Sequence, residues 1–272
     1  MKAAGGGWAV KPFAALASRF EQVVALDADV VFLQRPEALF AHAAFAATGA
    51  YLFHDRLIWQ HERPERMAWY RDQIKEPSAS VRASPVWTDE WAEECDSGVV
   101  VLDKARPEVL LGLLHAAWQN TGPVRDEVSY QLTWGDKETW WLGLELVGAA
   151  YRFEAGYAGV VGWDRDDRPD DAGADAHVCG NTIAHPDPDG RLLWYNGGLP
   201  RNKKVDMDAY VLPDRYLAAG SWVKLDWNAL SCMAGPEPTN LTDSELAILQ
   251  QSIDGARRID ELFKDIQIGA AA

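Results

Sequence analysis

The stretch Val23-Val24-Ala25-Leu26-Asp27-Ala28-Asp29-Val30-Val31-Phe32-Leu33 decides how the first part of this chain folds. The apolar run that ends at Leu26 is too short for a confident helix and predicts a buried strand. Two carboxylates placed two residues apart at the end of a strand can converge on Mg²⁺ or Mn²⁺, which prefer hard oxygen ligands. A cation held there can bridge the diphosphate of a nucleotide. An aspartate-rich turn is the alternative, and the apolar runs on both sides favour the metal site.

The composition limits the classes of protein to which the chain can belong. Its 272 residues are 48% apolar, which provides enough material for a substantial hydrophobic core. The 26 basic residues are outnumbered by 41 acidic ones, giving a net charge of −15. That balance argues against nonspecific nucleic-acid binding, which depends on clustered Lys and Arg. An anionic substrate would therefore need a local cation, either a metal ion or a lysine, to hold it.

Predicted strands and helices alternate along the chain and favour one α/β domain over residues 1–272. We predict strands at 50–53, 97–102, 151–153, 160–161, 178–184 and 192–195 and helices at 8–20, 36–48, 63–76, 107–120, 127–132 and 137–147. Residues 77–94 and 165–175 are typical of loops. A last helix over 242–268 opens with a capping box of Thr242 and Glu245, and its apolar stripe predicts that it docks on the body.

The sequence holds few signals of cellular address. No apolar run approaches the roughly 20 residues that span a bilayer, and the first seven residues lack the apolar segment of a signal peptide, so the chain itself is expected to be soluble. The cysteines at 95, 179 and 232 allow at most one internal pair. Asn240-Leu241-Thr242 fits the N-glycosylation pattern, by chance or by a secretory location. The 13 tryptophans are expected in the core or against the face of a sugar ring.

Further motifs carry groups that could do chemistry. Asp96 precedes a buried strand, where it serves either a cleft or a turn. Asp136 and Glu138 open a helix, where acids also complement the helix dipole. His185 follows a strand and is either a ligand or a hydrogen-bonded core residue. The loop 196–204, which contains Gly198 and Lys203, could lie over a diphosphate or form a plain turn.

Several of these motifs, taken in order, resemble one known family. The segments 8–16 and 24–29 are similar to the fungal Golgi α-mannosyltransferases of glycosyltransferase family 71. The resemblance continues through Asp96-Ser97-Gly98-Val99-Val100, Gly135-Asp136-Lys137-Glu138-Thr139-Trp140-Trp141, Ile183-Ala184-His185 and 193–199. It covers about Trp8 to Leu199 and keeps the motifs in family order, which is more specific than the acid pair alone.

The resemblance implies a GT-A type (Rossmann-like) fold, a GDP-mannose donor, a divalent metal that is usually Mn²⁺, and retaining transfer of mannose to a mannose-containing glycan. By position, Asp27 and Asp29 resemble the acid pair that binds the metal, and His185 would be the third ligand. Lys11 stands where the family has a basic residue facing the donor, and Gly198 and Lys203 are also expected near it.

For catalysis, the resemblance points to Asp136 in the segment near the sugar, with Glu138 and Asp96 as its neighbours in the cleft. Family members are Golgi proteins of type II membrane topology, in which an anchor, a stem and the first nucleotide-binding strands come before the segment that begins at Trp8. We therefore expect this chain to lack those parts and to contact a membrane only through an anchor absent from it.

Two other functions stay open on the sequence. A phosphatase of the haloacid dehalogenase type would use Asp27 as nucleophile and Asp29 as acid and base, and would need paired acids later in the chain. The pairs at 166–167 and 170–171 fit that requirement poorly, because they fall in a predicted loop. A non-catalytic remnant of a glycosyltransferase is the other alternative, and it predicts no metal-dependent binding of GDP.

Overall fold

The computed structural model describes residues 7–164, 176–198, 200–202, 206–223, 230–235 and 238–270, and it confirms the α/β class. The chain divides into two compact units, one formed by residues 1–30 and 34–158 and the other by residues 31–33 and 159–272. The organisation as one domain over 1–272 stays a prediction.

The helices and strands follow one another along both units. The helices are α1 (Val10–Ala17), α2 (Ala38–Ala41), α3 (Ala43–Thr48), α4 (Pro64–Gln73), α5 (Ala79–Ala83), α6 (Pro85–Asp89), α7 (Pro107–Gln119), α8 (Gly122–Val124), α9 (Tyr130–Leu132), α10 (Lys137–Leu146) and α11 (Asp243–Ala270). The strands are β1 (Gln22–Leu26), β2 (Val31–Phe32), β3 (Ala50–His54), β4 (Cys95–Asp103), β5 (Arg152–Phe153), β6 (Val160–Asp164), β7 (Ala176–Gly180), β8 (Ile183–Pro186), β9 (Leu192–Asn196), β10 (Pro200–Asn202), β11 (Asp206–Tyr210), β12 (Arg215–Leu217), β13 (Ser221–Val223), β14 (Ser231–Gly235) and β15 (Thr239–Asn240).

The sheet of the first unit has the strand order β1-β4-β3-β5 and gathers acidic residues at one edge. Strands β1 and β3 both run antiparallel to β4, with Leu26 opposite Val99 and His54 opposite Cys95. The ends of β1 and β3 therefore meet the beginning of β4 at the same edge. Asp27 and Asp55 follow directly after β1 and β3, so chain connectivity alone brings them to this edge.

Helices α7 and α10 pack at very short range in the core of the first unit. A Cβ on Gly143 would lie 2.6 Å from the carbonyl oxygen of Gly112, and a Cβ on Gly112 would lie 2.5 Å from Leu144 Cδ2. Real side chains do not approach so closely. The contact therefore requires glycine at 143, where the neighbour is backbone, whereas a side chain at 112 would force Leu144 to shift. Helix α10 is thereby fixed in place, with Asp136 and Glu138 at its start.

Several boundaries in the first unit differ from the sequence expectation. The helix expected over 36–48 is divided into α2 and α3, because His42 is extended and its Nδ1 accepts from Ala44 N. Gly49 ends α3 with a positive φ of 73°, as predicted. Residues 77–94 are not a plain loop, since they contain α5 and α6. Each of these short helices is capped by a serine, Ser78 or Ser84, whose hydroxyl accepts a backbone N–H.

The second unit consists mainly of antiparallel strands, with the orders β13-β14-β7-β6-β12-β15 and β2-β9-β8, and a further pair β10-β11. The strand expected over 178–184 is in fact the end of β7 and the start of β8. A disulfide joins Cys179 on β7 to Cys232 on β14, which are paired in the ladder, while Cys95 is a free, buried thiol. The loop expected over 165–175 lies outside the described residues.

Helix α11 confirms the predicted capping box and part of the predicted docking. Glu245 N donates to Thr242 Oγ1 at 3.3 Å, and Thr242 N donates to Glu245 Oε2 at 2.8 Å. Leu249 and Ile253 are buried in the core of the second unit. Ile259, Leu262 and Phe263 are exposed, so these three residues of the predicted stripe do not dock.

Candidate active site

Lys11 on α1 is the centre of a charged group at the end of β1, which we call the Lys11 cluster (Lys11, Asp27, Ser97 and Asp136). Its ammonium lies 2.6 Å from Asp27 Oδ1 and 3.0 Å from Asp136 Oδ2, and donates to Ser97 Oγ at 2.9 Å. Burial alone lowers the pKa of Lys11, but the nearby carboxylates of Asp136 and Asp27 outweigh it and raise the pKa above its usual value. The lysine is therefore a stable cation at neutral pH.

Asp136 connects the Lys11 cluster to the core. It occupies the N-cap position of α10 without a side-chain capping bond, and its side chain is only 2% exposed. Its Oδ2 accepts from Trp140 Nε1 at 2.8 Å in addition to facing Lys11. Burial raises the pKa of Asp136, while Lys11 and Trp140 oppose the rise. The structure thus places Asp136 in specific contacts rather than in the solvated first turn of a helix.

Glu138 lies two residues further on and forms a separate group, the Glu138 cluster (Tyr70, Glu94, Cys95, Glu138 and Trp141). Its Oε1 accepts from the backbone N–H groups of Glu94 and Cys95 at 3.1 and 3.2 Å. Its Oε2 accepts from Tyr70 Oη at 3.0 Å and Trp141 Nε1 at 2.6 Å. Burial, reinforced by the carboxylate of Glu93, raises the pKa of Glu138 to about 8. These contacts fix α10 against β4.

Asp96 and the ion pair between Asp55 and Lys137 lie at the sheet edge between the two clusters. Asp96 is buried inside β4, and its Oδ1 accepts from Gly98 N at 2.9 Å. Asp55, directly after β3, pairs with Lys137 of α10. Buried Arg66 pairs with Glu93 at 2.7 Å. Asp55 is not among the predicted site residues, although it follows an apolar strand as Asp27 does. Nothing in the local sequence marks Arg66 or Glu93.

The remaining predicted site residues have different surroundings. Asp29 is exposed in the turn after β1. His185 is not beyond a strand end but inside β8 of the second unit, where it is buried and stacks on Trp194 with ring centroids 4.1 Å apart. Gly198 has a positive φ of 72° in the second unit. Lys203 lies outside the described residues. The roles predicted for these four residues stay predictions.

The carboxylate oxygens that follow β1 are of the type that binds a divalent cation together with a substrate. Among the described residues, no group of three or more His, Cys, Asp or Glu side chains is arranged to hold a metal. Mg²⁺ is commonly bound by one or two carboxylates together with the phosphates of a substrate. The carboxylates of Asp27 and Asp29 are hard oxygen donors of that kind, and Asp27 Oδ1 is paired with Lys11 in the structure. Metal binding by these two residues stays a prediction.

Comparison with known proteins identifies the class to which this site belongs. The chain is a member of the protein family described as "Mannosyltransferase putative", whose model matches residues 1–187. The matched segment contains both clusters at the start of α10. Family membership confirms the resemblance found in the sequence, and it gives no support to the phosphatase alternative, whose acid pairs at 166–167 and 170–171 lie outside the described residues.

Individual relatives are fungal enzymes. The chain is 29% identical over 214 residues to "Alpha-1,3-mannosyltransferase MNT3" of Saccharomyces cerevisiae, covering 68% of this chain and 33% of the relative. It is 28% identical to "Putative alpha-1,3-mannosyltransferase MNN15" of Candida albicans, covering 73% of this chain and 27% of the relative. It is 25% identical to "Alpha-1,3-mannosyltransferase MNN1" of Saccharomyces cerevisiae, over 71% and 28% respectively. The chain thus spans about a third or less of the length of these relatives.

Proposed function

We propose that this chain is part of a glycosyltransferase that transfers mannose from GDP-mannose to a mannose-containing glycan. The observation that carries the proposal is the Lys11 cluster, in which Asp27 and Asp136 converge on one ammonium within the segment that matches the family. The names of the relatives support an α-1,3 linkage. A GT-A type fold for the whole protein belongs to the same proposal, and the α/β sheet with acids at the end of β1 supports it.

In the proposed reaction, the bond between C1 of mannose and the diphosphate oxygen breaks as C1 bonds to the acceptor oxygen. The acceptor proton passes to the departing phosphate, and the α configuration is retained. Lys11 offsets charge that develops on the diphosphate, because its ammonium is largely shielded from solvent and already held in place by two carboxylates. Asp136 holds that ammonium in position, and a place near the sugar is proposed for it by resemblance to the family. Asp96 and Glu138 keep the sheet edge and α10 in register with it.

Mn²⁺ or Mg²⁺ is the cofactor that we propose for the donor. Asp27 and Asp29 would hold it, and His185 is proposed as a further ligand by resemblance. When bound, the cation supplies Lewis-acid stabilisation of the leaving diphosphate. Gly198 and Lys203 belong to the proposed donor site on the same ground.

We propose the Golgi lumen as the location. The disulfide between Cys179 and Cys232 supports it, because structural disulfides persist in oxidising compartments such as those of the secretory pathway. No helix within the described residues has the length and apolar character needed to cross a bilayer. Alkylation of the denatured, unreduced protein should find the single thiol of Cys95. Three reactive thiols after purification from the secretory pathway would contradict the pairing.

Transfer from GDP-mannose to α-mannobiose, measured with Mn²⁺ and with EDTA, tests the proposal. Calorimetric titration of GDP under both conditions tests the donor site separately. The exposed Asp29 is the best position for a variant, because Asp29→Ala should not disturb the core; it should abolish metal-dependent binding of GDP. Asp72→Ala, at an exposed aspartate on α4, is the matched control. Wild-type transfer by Asp29→Ala would refute the metal-dependent mechanism.

A further inference from the structure

A second possible ligand site in the first unit is a cavity that the proposed chemistry does not use. It has a volume of about 400 Å³, within the size range typical of small-molecule sites. Aromatic rings make up much of its wall, and we call it the aromatic cavity; the rings are those of Tyr70, Trp87, Trp141, Tyr151, Phe153 and Tyr157. Since this lining comes from helices, strands and loops distant in sequence, no local motif announces it.

The wall of the aromatic cavity is held rigid around His54. The imidazole is stacked between Phe153 and Tyr157, with ring centroids 4.2 Å away on each side and interplanar angles of 11° and 18°. Its Nδ1 lies 2.8 Å from Glu94 Oε1, which also accepts from Tyr157 Oη at 3.1 Å. The second oxygen of Glu94 accepts from Ser84 Oγ. Such a preorganised wall lowers the entropy cost of binding a ligand.

The polar groups of the cavity favour a neutral ligand over a phosphate. The acidic residues Glu94 and Glu154 and the basic residue Arg152 belong to its lining. A diphosphate would meet both carboxylates and would lack the cluster of cations that it needs. Carboxylates are strong acceptors for hydroxyl groups, and aromatic faces pack against apolar C–H surface. A pyranose ring offers hydroxyls at its edge and C–H groups on its face, so it matches this lining.

We propose that the aromatic cavity binds one neutral hexose ring. In the transferase proposed above, and resting on that function, the ring is a mannose of the acceptor glycan, bound apart from the Lys11 cluster that serves the donor. Glu138 lies between the two sites. Its carboxylate contacts Tyr70 and Trp141, which line the cavity, while Asp136 of the Lys11 cluster is the N-cap of the same helix. Acceptor and donor sites would thus share one buried support.

Ligand-detected saturation-transfer NMR of the whole chain with methyl α-mannoside and α-mannobiose tests the proposal without donor or metal. A titration to about 50 mM covers the millimolar range of affinity expected for a single sugar. Trp87→Ala removes a half-buried ring and should weaken binding at least about tenfold, and Trp87→Phe should restore most of it. Trp118→Ala, at a tryptophan that is 54% exposed on α7 and absent from the lining, is the matched control and should bind normally.

The outcomes separate this inference from the proposed function. Thermal unfolding confirms first that each variant is folded. No binding by the wild-type chain, or equal binding by Trp87→Ala and wild type, overturns the aromatic cavity as a sugar site. Sugar binding that depends on Trp87, in a chain that shows no metal-dependent binding of GDP, overturns the proposed donor site and leaves the cavity. If transfer occurs, Trp87→Ala should raise the acceptor KM with a smaller change in kcat, and an unchanged KM would count against the acceptor assignment.

Discussion

Two acidic side chains at the start of α10, two residues apart, lie in different chemical surroundings. Asp136 faces an ammonium in the Lys11 cluster, which reaches solvent because the Asp27 side chain is 24% exposed. Glu138 is completely buried among neutral donors, which are the side chains of Tyr70 and Trp141 and the backbone N–H groups of Glu94 and Cys95. The first arrangement can exchange partners with a ligand, whereas the second has its acceptors committed to the fold. Two acids that are close together in one motif can therefore have different roles.

Replacing Asp136 with Asn should give the largest effect of the predicted changes, which is a loss of transfer activity. The amide keeps the shape of the side chain but loses the charge that orients Lys11. We expect transfer to fall about 100- to 1,000-fold, the loss typical of removing one electrostatic group from an active site. Steady-state kinetics with GDP-mannose measure it, and thermal unfolding should show that the variant remains folded. An unchanged kcat would remove Asp136 from the site.

Replacing Glu138 with Ala should lower the stability of the fold and is not primarily a change in activity. Tyr70, Trp141 and two backbone N–H groups would lose their acceptor in the core. We expect a loss of about 3 kcal/mol in the free energy of unfolding, because buried donors left without partners are costly. Urea unfolding followed by circular dichroism measures it. A variant as stable as the wild type would show that the Glu138 cluster does not support the fold.

Replacing Lys11 with Met should leave Asp136 as a buried carboxylate without its ammonium partner. We expect a loss of about 2 kcal/mol near neutral pH, because removing one partner of a buried ion pair leaves the other charge uncompensated. Part of the loss should be recovered in acid, where Asp136 takes up a proton. Lys75→Met breaks an exposed pair with Asp72 and, as a control, should cost less than about 0.5 kcal/mol. Equal losses in the two variants would contradict the distinction.

The smallest predicted effect is a difference between the wild type and Glu138→Gln in how stability depends on pH. The folded-state pKa of Glu138 is raised from 4.5 to about 8, so the folded protein holds an extra proton between these values. The stability that this carboxyl contributes is therefore complete below about pH 4.5 and is lost as pH rises through about 8. Wild type and Glu138→Gln should have similar melting temperatures in acid, and the wild type should fall behind toward pH 8. Parallel curves would contradict the raised pKa.

The sequence predicts the Lys11 cluster better than the Glu138 cluster, because their signals differ in range. Asp27 follows an apolar strand, so its place at a sheet edge is visible within a few residues. Glu138 also stands in a recognisable motif, but its partners come from α4, the start of β4 and the next turn of α10. A single sequence does not show which distant donors will surround a carboxylate, and the helix dipole offered a local explanation.

The same difference of range explains where the fold departs from expectation. Long periodic elements such as α7 and α10 were predicted within a few residues of their observed ends. Helices α5 and α6 were missed, since five residues are too few to establish a period and only their capping serines mark them. The apolar residues 178–184 hid the break between β7 and β8, where Asn181 and Thr182 interrupt the ladder. Sequence periodicity thus identifies the long helices, whereas tertiary contacts determine the short helices and the strand breaks.

The close approach of Gly112 and Gly143 has a consequence for how the site moves. Helices that touch through backbone cannot slide past one another without opening the core, so α7 and α10 should open as one cooperative unit in hydrogen exchange. The slowest amides of the first unit are then expected in these two helices. Asp136 and Glu138 would then move with the pair of helices α7 and α10 instead of with the loop before them. The contact between Gly112 and Gly143, nearly two turns along the helix, thus helps to fix the orientation of the two acids.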